Sequence, residues 1–505
     1  MPAATQSLSN LPGGLRLPAN KRLSSSTDII DVEVPEELII PLQQHAGDAA
    51  LPLVQAGDRV LAGQRIGESD GAVSACVHAS SSGVVTAIEM RPLPARGEPS
   101  VPCVVIRTDG TDTFVDQRAT EPFDGSDPVT ALRQIQRAGI VGLGGAAYPT
   151  AQKITNGYQA GIETVILNGV ECESYISCDD RLMREQARAV FEGGQILRRI
   201  VTAKHLIVAV ESDKAEALEA LRLASDALAD ESISIVEVPT VYPSGGEDQL
   251  VLLLTGQEVP SGGLPSDLKL LVQNVGTAVA IAELAQQALP LISRIVTVTG
   301  EGVERPGNYR IRIGTPIADV IRAAGGYNDS ALRLIMGGPM TGVALTDDAL
   351  PVIKACNCLL VTGPAVHISP EPRRTCIRCG ECAEHCPVRL LPQTLLKHAP
   401  SEDIGPLCSF GLDDCIECGC CDLVCPSHIP LTQIFREAKQ AVRIRTNERL
   451  RADRAKERFE AHATRALEQS ETKAKELDEK RQIASSAAID AIIARKKARQ
   501  KDSDS

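Results

Sequence analysis

Two runs of cysteine dominate the chemistry that this sequence can carry. Each run has the pattern C-x2-C-x2-C-x3-C-P, and 28 residues separate the last cysteine of the first run from the first cysteine of the second. The first cysteine run is Cys376, Cys379, Cys382 and Cys386 before Pro387; the second is Cys415, Cys418, Cys421 and Cys425 before Pro426. Thiolates three residues apart on a looping backbone reach neighbouring corners of one iron–sulfur cubane, so the runs predict two [4Fe–4S] clusters.

The fourth cysteine of such a run ligates the other cluster, because the proline turn carries it away from its own run. We therefore predict a cluster 1 site of Cys376, Cys379, Cys382 and Cys425, and a cluster 2 site of Cys386, Cys415, Cys418 and Cys421. Cys420 is expected to point away from the iron and bind none. Cys172, Cys178, Cys356, Cys358 and Cys408 have no assigned role.

Zinc and disulfides are the alternatives. Zinc sites favour two separated CxxC pairs over runs of three cysteines plus one. Disulfides belong to exported proteins, and the first 22 residues contain no apolar stretch of signal-peptide length. No run of about 20 apolar residues occurs, so we expect any membrane association to be peripheral.

Charge is unevenly distributed along the 505 residues. The net charge is −13, yet from Arg436 onward 19 Lys and Arg face 13 Asp and Glu. The acidic remainder argues against nucleic acid as a partner, whereas the basic tail suits an acidic protein or a phospholipid surface. The length predicts about three to five domains.

Short valine-rich strands and glycine turns fill residues 30–125, and they resemble the barrel-sandwich fold of biotinyl and lipoyl domains. Those domains modify a lysine at an exposed hairpin, but residues 69–73 contain none, so a structural or docking role is predicted. Residues 126–290 alternate helix and strand, which predicts a mainly parallel sheet with helices on both faces. Ligands of such sheets lie at the carboxyl ends of the strands.

Four stretches of this α/β region have the composition of a site. They are the glycine loop GIVGLGGAAYPTAQK (139–153), NGVECE (168–173) after a strand, YPSGGED (242–248) and NVGT (274–277) opening a helix. Glycines let backbone N–H groups approach a phosphate, although ordinary glycine turns are commoner. Two carboxylates at a strand end are equally consistent with a solvated turn.

Together these stretches resemble the flavin- and NADH-binding subunit of respiratory complex I. They resemble still more closely the RnfC family, the C subunits of the Rnf (Rsx) ion-translocating ferredoxin:NAD oxidoreductases, over residues 10–440. The motifs are GLGGAAYPTAQK, NGVECESYISCDDR, YPSGGEDQL, LPSDLKLLVQNVGT, MGGPMTG (336–342) and the two cysteine runs. Leu143, Gly246 and Val170 depart from the complex I pattern, which has Arg, Glu and Asp there.

The resemblance implies FMN on the glycine loop with NAD(H) stacked on it. The implied phosphate and nucleotide contacts are Gly142, Gly144, Gly145 and Lys153, with Tyr148 as the aromatic partner of the adenine. The implied flavin contacts are Asn168, Tyr242, Asn274 and Thr277. The implied catalytic carboxylates, on the nicotinamide side, are Glu171, Glu173 and Glu247.

The predicted architecture is multidomain α/β and α+β. Its parts are an N-terminal segment (1–29), a barrel-sandwich domain (30–125), an FMN/NAD(H)-binding α/β domain (126–290), a β-grasp or soluble-ligand-binding domain (291–365), a ferredoxin-type domain with two [4Fe–4S] clusters (366–440) and a charged helical tail (441–505) with a disordered end. Residues 431–505 contain neither Gly nor Pro, which favours a long helix.

The implied function is that of an NAD(H)-linked oxidoreductase subunit in a membrane-bound translocase. It would exchange electrons between NAD(H), FMN and two [4Fe–4S] clusters, bound to the other members of the complex and serving ferredoxin through them. The implied location is the cytoplasmic face of the bacterial inner membrane. A stand-alone NADH:acceptor diaphorase and a non-catalytic iron–sulfur relay are the alternatives.

Overall fold

The computed structural model describes residues 8, 10–116, 123–364, 372–400 and 404–501. The chain divides into two compact units, Met1–Phe435 and Arg436–Ser505. Parts of several predictions lie outside the described residues: residues 1–7 and 9 of the N-terminal segment, 117–122 of the barrel-sandwich domain, 365 of the β-grasp domain, 366–371 and 401–403 of the ferredoxin-type domain, and the last four residues of the disordered end.

The first unit opens with a barrel-sandwich of two small antiparallel sheets. Its elements are α1 (Arg22–Ser25), β1 (Ile30–Asp31), β2 (Glu37–Pro41), β3 (Leu51–Pro52), β4 (Arg59–Val60), β5 (Arg65–Glu68), β6 (Val77–His78), β7 (Gly83–Pro92) and β8 (Ser100–Thr108). One sheet has the order β2-β8-β7-β4 and the other β3-β5-β6, while β1 pairs with a later strand. Leu38, Ile40 and Ile106 alternate inward and are fully buried between the sheets.

The next domain contains a four-stranded sheet that is entirely parallel, as the alternation of helix and strand predicts. Its elements are α2 (Pro128–Arg137), α3 (Thr150–Ala160), β9 (Thr164–Gly169), α4 (Cys178–Ile200), β10 (His205–Glu211), α5 (Ala215–Leu228), β11 (Ile233–Val238), α6 (Glu247–Thr255), β12 (Leu270–Asn274) and α7 (Val275–Gln287). The strand order is β11-β10-β9-β12. Helix α4 packs against α7 so closely that a Cβ on Gly193 would lie 1.8 Å from the Ala278 carbonyl oxygen.

A six-stranded mixed sheet follows. Its elements are β13 (Ser293–Thr299), β14 (Gly307–Arg312), α8 (Ile317–Ala323), β15 (Arg333–Met336), β16 (Val343–Ala344) and β17 (Cys358–Thr362). Strand β1 joins the edge of this sheet in the order β1-β14-β13-β17-β15-β16. The N-terminal segment is therefore tied to a domain almost 280 residues further along the chain, through the pairing of Ile30 with Tyr309.

The cysteine runs lie in a segment of short helices. They are α9 (Glu381–Glu384), α10 (Pro392–His398), α11 (Gly405–Ser409) and α12 (Cys420–Leu423), followed by the start of α13 (Leu431–Lys501). Helices α9 and α12 are single turns, and each follows a glycine of positive φ, Gly380 at +93° and Gly419 at +78°. The two runs therefore have the same local backbone as well as the same sequence pattern.

The second unit is helical through Lys501, so residues 492–501 of the predicted disordered end are part of α13. Its exposed side chains include Leu450, Phe459 and Ile483, scattered without a continuous apolar seam. Within the described residues, no helix has the length and apolarity needed to cross a membrane.

Candidate flavin and iron–sulfur sites

The glycine loop connects α2 to α3 and is held shut at its base. The Gly142 N–H donates to the Tyr148 carbonyl at 2.8 Å, and Val141 forms an antiparallel bridge with Pro149. At its tip, Gly144 and Gly145 are exposed, and Gly145 has a φ of +107°. A Cβ on Gly142 or Gly144 would meet nothing closer than 3.6 Å, and one on Gly145 nothing within 4 Å. The tip therefore has room for a group to lie against its backbone.

The first turn of α7 lies against this loop. The Thr277 hydroxyl, fully buried, accepts from the Leu143 N–H at 2.9 Å. Asn274 caps the helix, its Oδ1 accepting from the Gly276 N–H at 2.8 Å. A Cβ on Gly144 would lie 3.6 Å from that of Asn274, so the loop tip lies at the positive end of the helix.

Side chains from the ends of β9 and β12 and from the start of α4 meet beside that helix turn. Asn168 and Asn274 are register partners on β9 and β12. The Asn274 Nδ2 donates to Asp179 Oδ2 at 2.7 Å, and Asp179 in turn donates its backbone N–H to Glu171 Oε1 at 2.9 Å. The Asn168 Nδ2 donates to the Gly245 carbonyl at 2.9 Å, which fixes the YPSGG loop to the same edge. The structure thus brings Gly144, Asn168, Glu171, Asn274 and Thr277 into one neighbourhood.

The other two predicted carboxylates have partners of their own. Glu173 accepts from the backbone N–H groups of Met340 at 2.8 Å and Thr341 at 2.9 Å, and from the Thr341 hydroxyl at 2.7 Å. It therefore holds the MGGPMTG loop between β15 and β16. Glu247, at the start of α6, forms an ion pair with Lys153 of α3 at 2.7 Å. Both ions of that pair are partly exposed.

Tyr242 contacts the second cysteine run. Its hydroxyl donates to the carbonyl of Cys418 at 2.6 Å, and the side chain is almost fully buried. Burial raises the pKa of this phenol far above its ordinary value, and Glu173 adds to the effect. Tyr242 is therefore a neutral hydrogen-bond donor at any physiological pH.

Cysteines from both runs share one small cavity. Cys386 of the first run lines it together with Cys415, Cys418 and Cys421 of the second. Cys420 lines this cavity too, and that it binds no iron stays a prediction.

A buried ionic group lies at the ends of β9 and β10, and of its members only Glu171 is among the residues predicted from the sequence. Lys21 of the N-terminal segment donates to the Glu171 carbonyl, and its Nζ lies 3.8 Å from the Glu171 carboxylate. Glu211 at the end of β10 is fully buried, with Lys214 4.0 Å away. Burial raises the pKa of Glu211 to about 7, although Lys21 and Lys214 oppose the shift. Burial, with the charge of Glu171, likewise raises the pKa of Asp179 to about 7.

Two buried basic side chains beneath the glycine loop are also absent from the sequence predictions. Lys354 Nζ donates to the carbonyls of Gly139 at 2.7 Å and Cys76 at 2.9 Å. Arg294 Nη1 donates to the carbonyls of Leu143 at 3.1 Å and Lys354 at 2.8 Å. Asp179 lies inside the motif NGVECESYISCDDR, but no motif near Arg294 or Lys354 in the sequence indicates a role for either residue.

We expect Lys354→Met to destabilise the flavin domain increasingly as pH rises. The substitution leaves two buried carbonyls without a donor, at about 1–3 kcal/mol each. Burial lowers the pKa of Lys354 from 10.5 to about 7, so from pH 7 to 10.5 the unfolded chain binds the extra proton. Over this range the free energy of unfolding of the wild type therefore rises, relative to that of the variant, by up to about 1.4 kcal/mol per pH unit.

Calorimetric melting of both proteins at pH 7, 8 and 9 measures this difference. Lys204→Met, at an exposed position, is the matched control and should show no such trend. A gap between wild type and Lys354→Met that narrows as pH rises would contradict the assignment.

Comparison with known proteins finds matches to three domain families in this chain. Residues 135–283 match the Nuo51 FMN-binding domain, residues 9–111 the RnfC barrel sandwich hybrid domain, and residues 295–344 the SLBB domain. The fold and these matches define a multidomain α/β protein with an FMN-binding domain. Two solved structures of NAD+-reducing [NiFe]-hydrogenase, air-oxidised and H2-reduced, give TM-scores of 0.45 and 0.46 at 21% and 19% identity. They cover 57% and 63% of this chain, and 56% and 61% of theirs.

The chain belongs to the RnfC family, the C subunits of ion-translocating oxidoreductase complexes. The family member from Haemophilus influenzae (strain 86-028NP) is 39% identical over 90% of this chain and 68% of its own length. Those from Pseudomonas aeruginosa (strain PAO1) and Pasteurella multocida (strain Pm70) are 44% and 40% identical over 92% and 88% of the chain. The chain spans 60% and 53% of the length of these last two.

Proposed function

We propose that this chain is an electron-transfer subunit of a membrane-bound ion-translocating oxidoreductase complex, exchanging electrons between NAD(H), FMN and two [4Fe–4S] clusters. The observation that carries the proposal is the physical link between the candidate flavin site and the cysteine runs. The YPSGG loop contacts Asn168 through Gly245 and Cys418 through Tyr242, so one short segment touches both sites.

The glycine loop fits FMN because its tip is open and its surroundings favour an anion. Gly144 and Gly145 expose backbone at the start of α7, where helix N–H groups and the helix dipole stabilise negative charge. The Arg294 guanidinium, which donates to the Leu143 carbonyl, adds positive charge behind the same loop. We assign the phosphate to Gly142, Gly144 and Gly145, and the ring system to Asn168, Asn274 and Thr277.

The cysteine runs fit two clusters. None of the eight predicted ligands forms a disulfide, and the cavity shared by Cys386 and the second run supports the crossed ligand sets. We propose a ferredoxin-type fold for residues 366–440 and a β-grasp fold for 291–365. The closely spaced thiols suit iron rather than disulfides.

FMN, when bound, takes two electrons as hydride and passes them on singly to iron–sulfur clusters. The chain's own groups do the positioning. Thr277 and Asn274 fix the loop and the helix start, and Asp179, whose pKa burial raises to about 7, accepts a hydrogen bond from the Asn274 amide. Glu171 and Glu247 remain our candidates for the nicotinamide side, and Glu173 positions the MGGPMTG loop.

Iron, sulfide and flavin analysis of the anaerobically purified protein tests the proposal, together with bleaching by NADH. About eight iron atoms by the two-cubane ligand argument, with FMN, is the expected result. Iron without flavin would favour the relay alternative, and full NADH activity with no attachment to membrane subunits would favour the diaphorase.

A chain ended after Ala441 is expected to keep its flavin, its iron and NADH-to-acceptor activity. The predicted ligands and flavin contacts all lie in the first unit, whereas Arg436–Ser505 forms a unit of its own. The basic tail should instead aid attachment to an acidic protein or membrane surface in a salt-sensitive way. Co-sedimentation with membranes at about 0.05 and 0.5 M salt measures it, and loss of soluble activity on truncation would contradict it.

A further inference from the structure

The repeated sequence of the two cysteine runs allows a position-by-position comparison of their surroundings. Ile377 and Ile416 follow the first cysteine of each run, and Gly380 and Gly419 precede the single-turn helices. Ile377 is 69% exposed and Cys379 is exposed, whereas Ile416 and Cys418 are partly buried. Because residue type and backbone are the same, these differences report what covers each run.

The second run is covered by the flavin domain and by the MGGPMTG loop. Tyr242 donates to the Cys418 carbonyl, and a Cβ on Gly419 would lie 3.5 Å from both Cε and the carbonyl oxygen of Met340. Glu173 holds Met340 in place by its backbone N–H. At Gly380, the equivalent of Gly419, an added Cβ would meet nothing within 4 Å.

The N-terminal segment covers the fourth cysteine of the first run. Gly13 has a φ of +58°, and a Cβ there would lie 2.6 Å from the His385 carbonyl carbon and 2.8 Å from that of Cys386. The Gly14 N–H donates to the His385 carbonyl at 3.1 Å, and Leu15 bridges to Tyr242. Under the crossed assignment Cys386 belongs to the cluster 2 site, so this contact too falls on cluster 2.

Two further contacts join the flavin domain to residues beside the predicted cluster 2 ligands. Ser261 donates to Asp414, next to Cys415, and Glu258 forms an ion pair with Arg389 at 3.1 Å. Among the described residues we find no hydrogen bond from Cys376, Cys379, Cys382 or Cys425 to the flavin domain; the Cys382 thiol, for example, lies 3.5 Å from Gln393 of α10.

We propose that the cluster 2 site is the inner one, joined to the flavin domain by Tyr242 and Met340, and that the cluster 1 site is the outer one, exposed for exchange with a redox partner. Tyr242 is a positioning residue in this arrangement, because it acts through the Cys418 backbone. The inference rests on the proposed function, since both sites must hold clusters.

Relaxation measurements with a soluble paramagnet test directly which of the two clusters is the outer one. Dysprosium–EDTA added to the reduced wild-type protein should shorten the spin relaxation of the cluster 1 EPR signal more than that of cluster 2. The signals are assigned by their loss in Cys376→Ala and Cys415→Ala. An equal or reversed effect would overturn the inference while leaving the proposed function intact, and absence of iron from the wild type would overturn both.

Tyr242→Phe tests the link, because it removes only the hydroxyl. Iron and flavin contents should match the wild type, the g-values of the cluster 2 signal should shift, and those of cluster 1 should not. Tyr309→Phe is the matched control: Tyr309 is also buried, and its hydroxyl donates to the Arg305 carbonyl at 2.7 Å, in the six-stranded sheet domain. An unchanged cluster 2 signal in Tyr242→Phe, or an equal change in both clusters, would refute the positioning role.

Discussion

Gly144→Val is expected to lose bound FMN and keep its iron. Gly144 lies at the exposed tip of the glycine loop, and the first atom of a new side chain would sit 3.6 Å from Asn274 without a clash. The fold should therefore tolerate valine, but its branched methyl groups would occupy the space in front of the loop backbone. Each phosphate hydrogen bond lost, at about 2 kcal/mol for a charged acceptor, weakens binding roughly 30-fold.

Flavin released on denaturation, measured beside iron and sulfide, decides the outcome. Gly144→Ala is the graded control, because a single methyl group has room and should reduce FMN affinity much less. Normal flavin occupancy in Gly144→Val would show that FMN binds elsewhere. Loss of iron together with flavin would instead show that the substitution disrupts more than the loop.

The parts of the site that follow from sequence are those whose signal is local. The glycine loop, the asparagines at the ends of β9 and β12 and the cysteine runs each lie in a short stretch with distinctive spacing. Asn168 and Asn274 come together because parallel strands end at one edge of a sheet, which the alternation of helix and strand already implies. The match of residues 135–283 to an FMN-binding domain agrees with the prediction of a flavin-binding domain in this region.

Contacts between residues far apart in the chain could not be predicted from the sequence. Lys354 contacts Gly139 across 215 residues, and Tyr242 contacts Cys418 across 176. Neither side chain lies in a pattern that names its partner. Tyr242 is predicted to line the flavin, and no pattern in the sequence indicates that its hydroxyl also reaches the second cysteine run. Glu173 was predicted as catalytic, and both of its oxygens accept hydrogen bonds from the MGGPMTG loop. The sequence shows that a carboxylate follows the strand, but it does not show which group will donate hydrogen bonds to that carboxylate.

Cys386→Ala is expected to damage cluster 2, although Cys386 lies in the first run. In sequence it follows Cys382 by four residues, yet in the structure it lines the same cavity as Cys415, Cys418 and Cys421. The proline turn after it directs the chain away from its own run, as in two-cluster proteins with this spacing. Removing its thiolate leaves three protein ligands at the cluster 2 site, whereas Cys376→Ala removes one from cluster 1.

Low-temperature EPR of the two reduced variants distinguishes these sites, provided that each is purified without oxygen. Cys386→Ala and Cys415→Ala should lose the same signal, and Cys376→Ala the other. Cys420→Ala is the essential companion, because Cys420 lines the same cavity as Cys386 and is the natural substitute ligand. If the Cys386→Ala signal survives and disappears only in the double variant with Cys420→Ala, the crossing holds and Cys420 acts as a reserve ligand. If Cys386→Ala and Cys376→Ala remove one and the same signal, each run holds its own cluster, and the contacts of Tyr242 and Gly13 then fall on two different clusters.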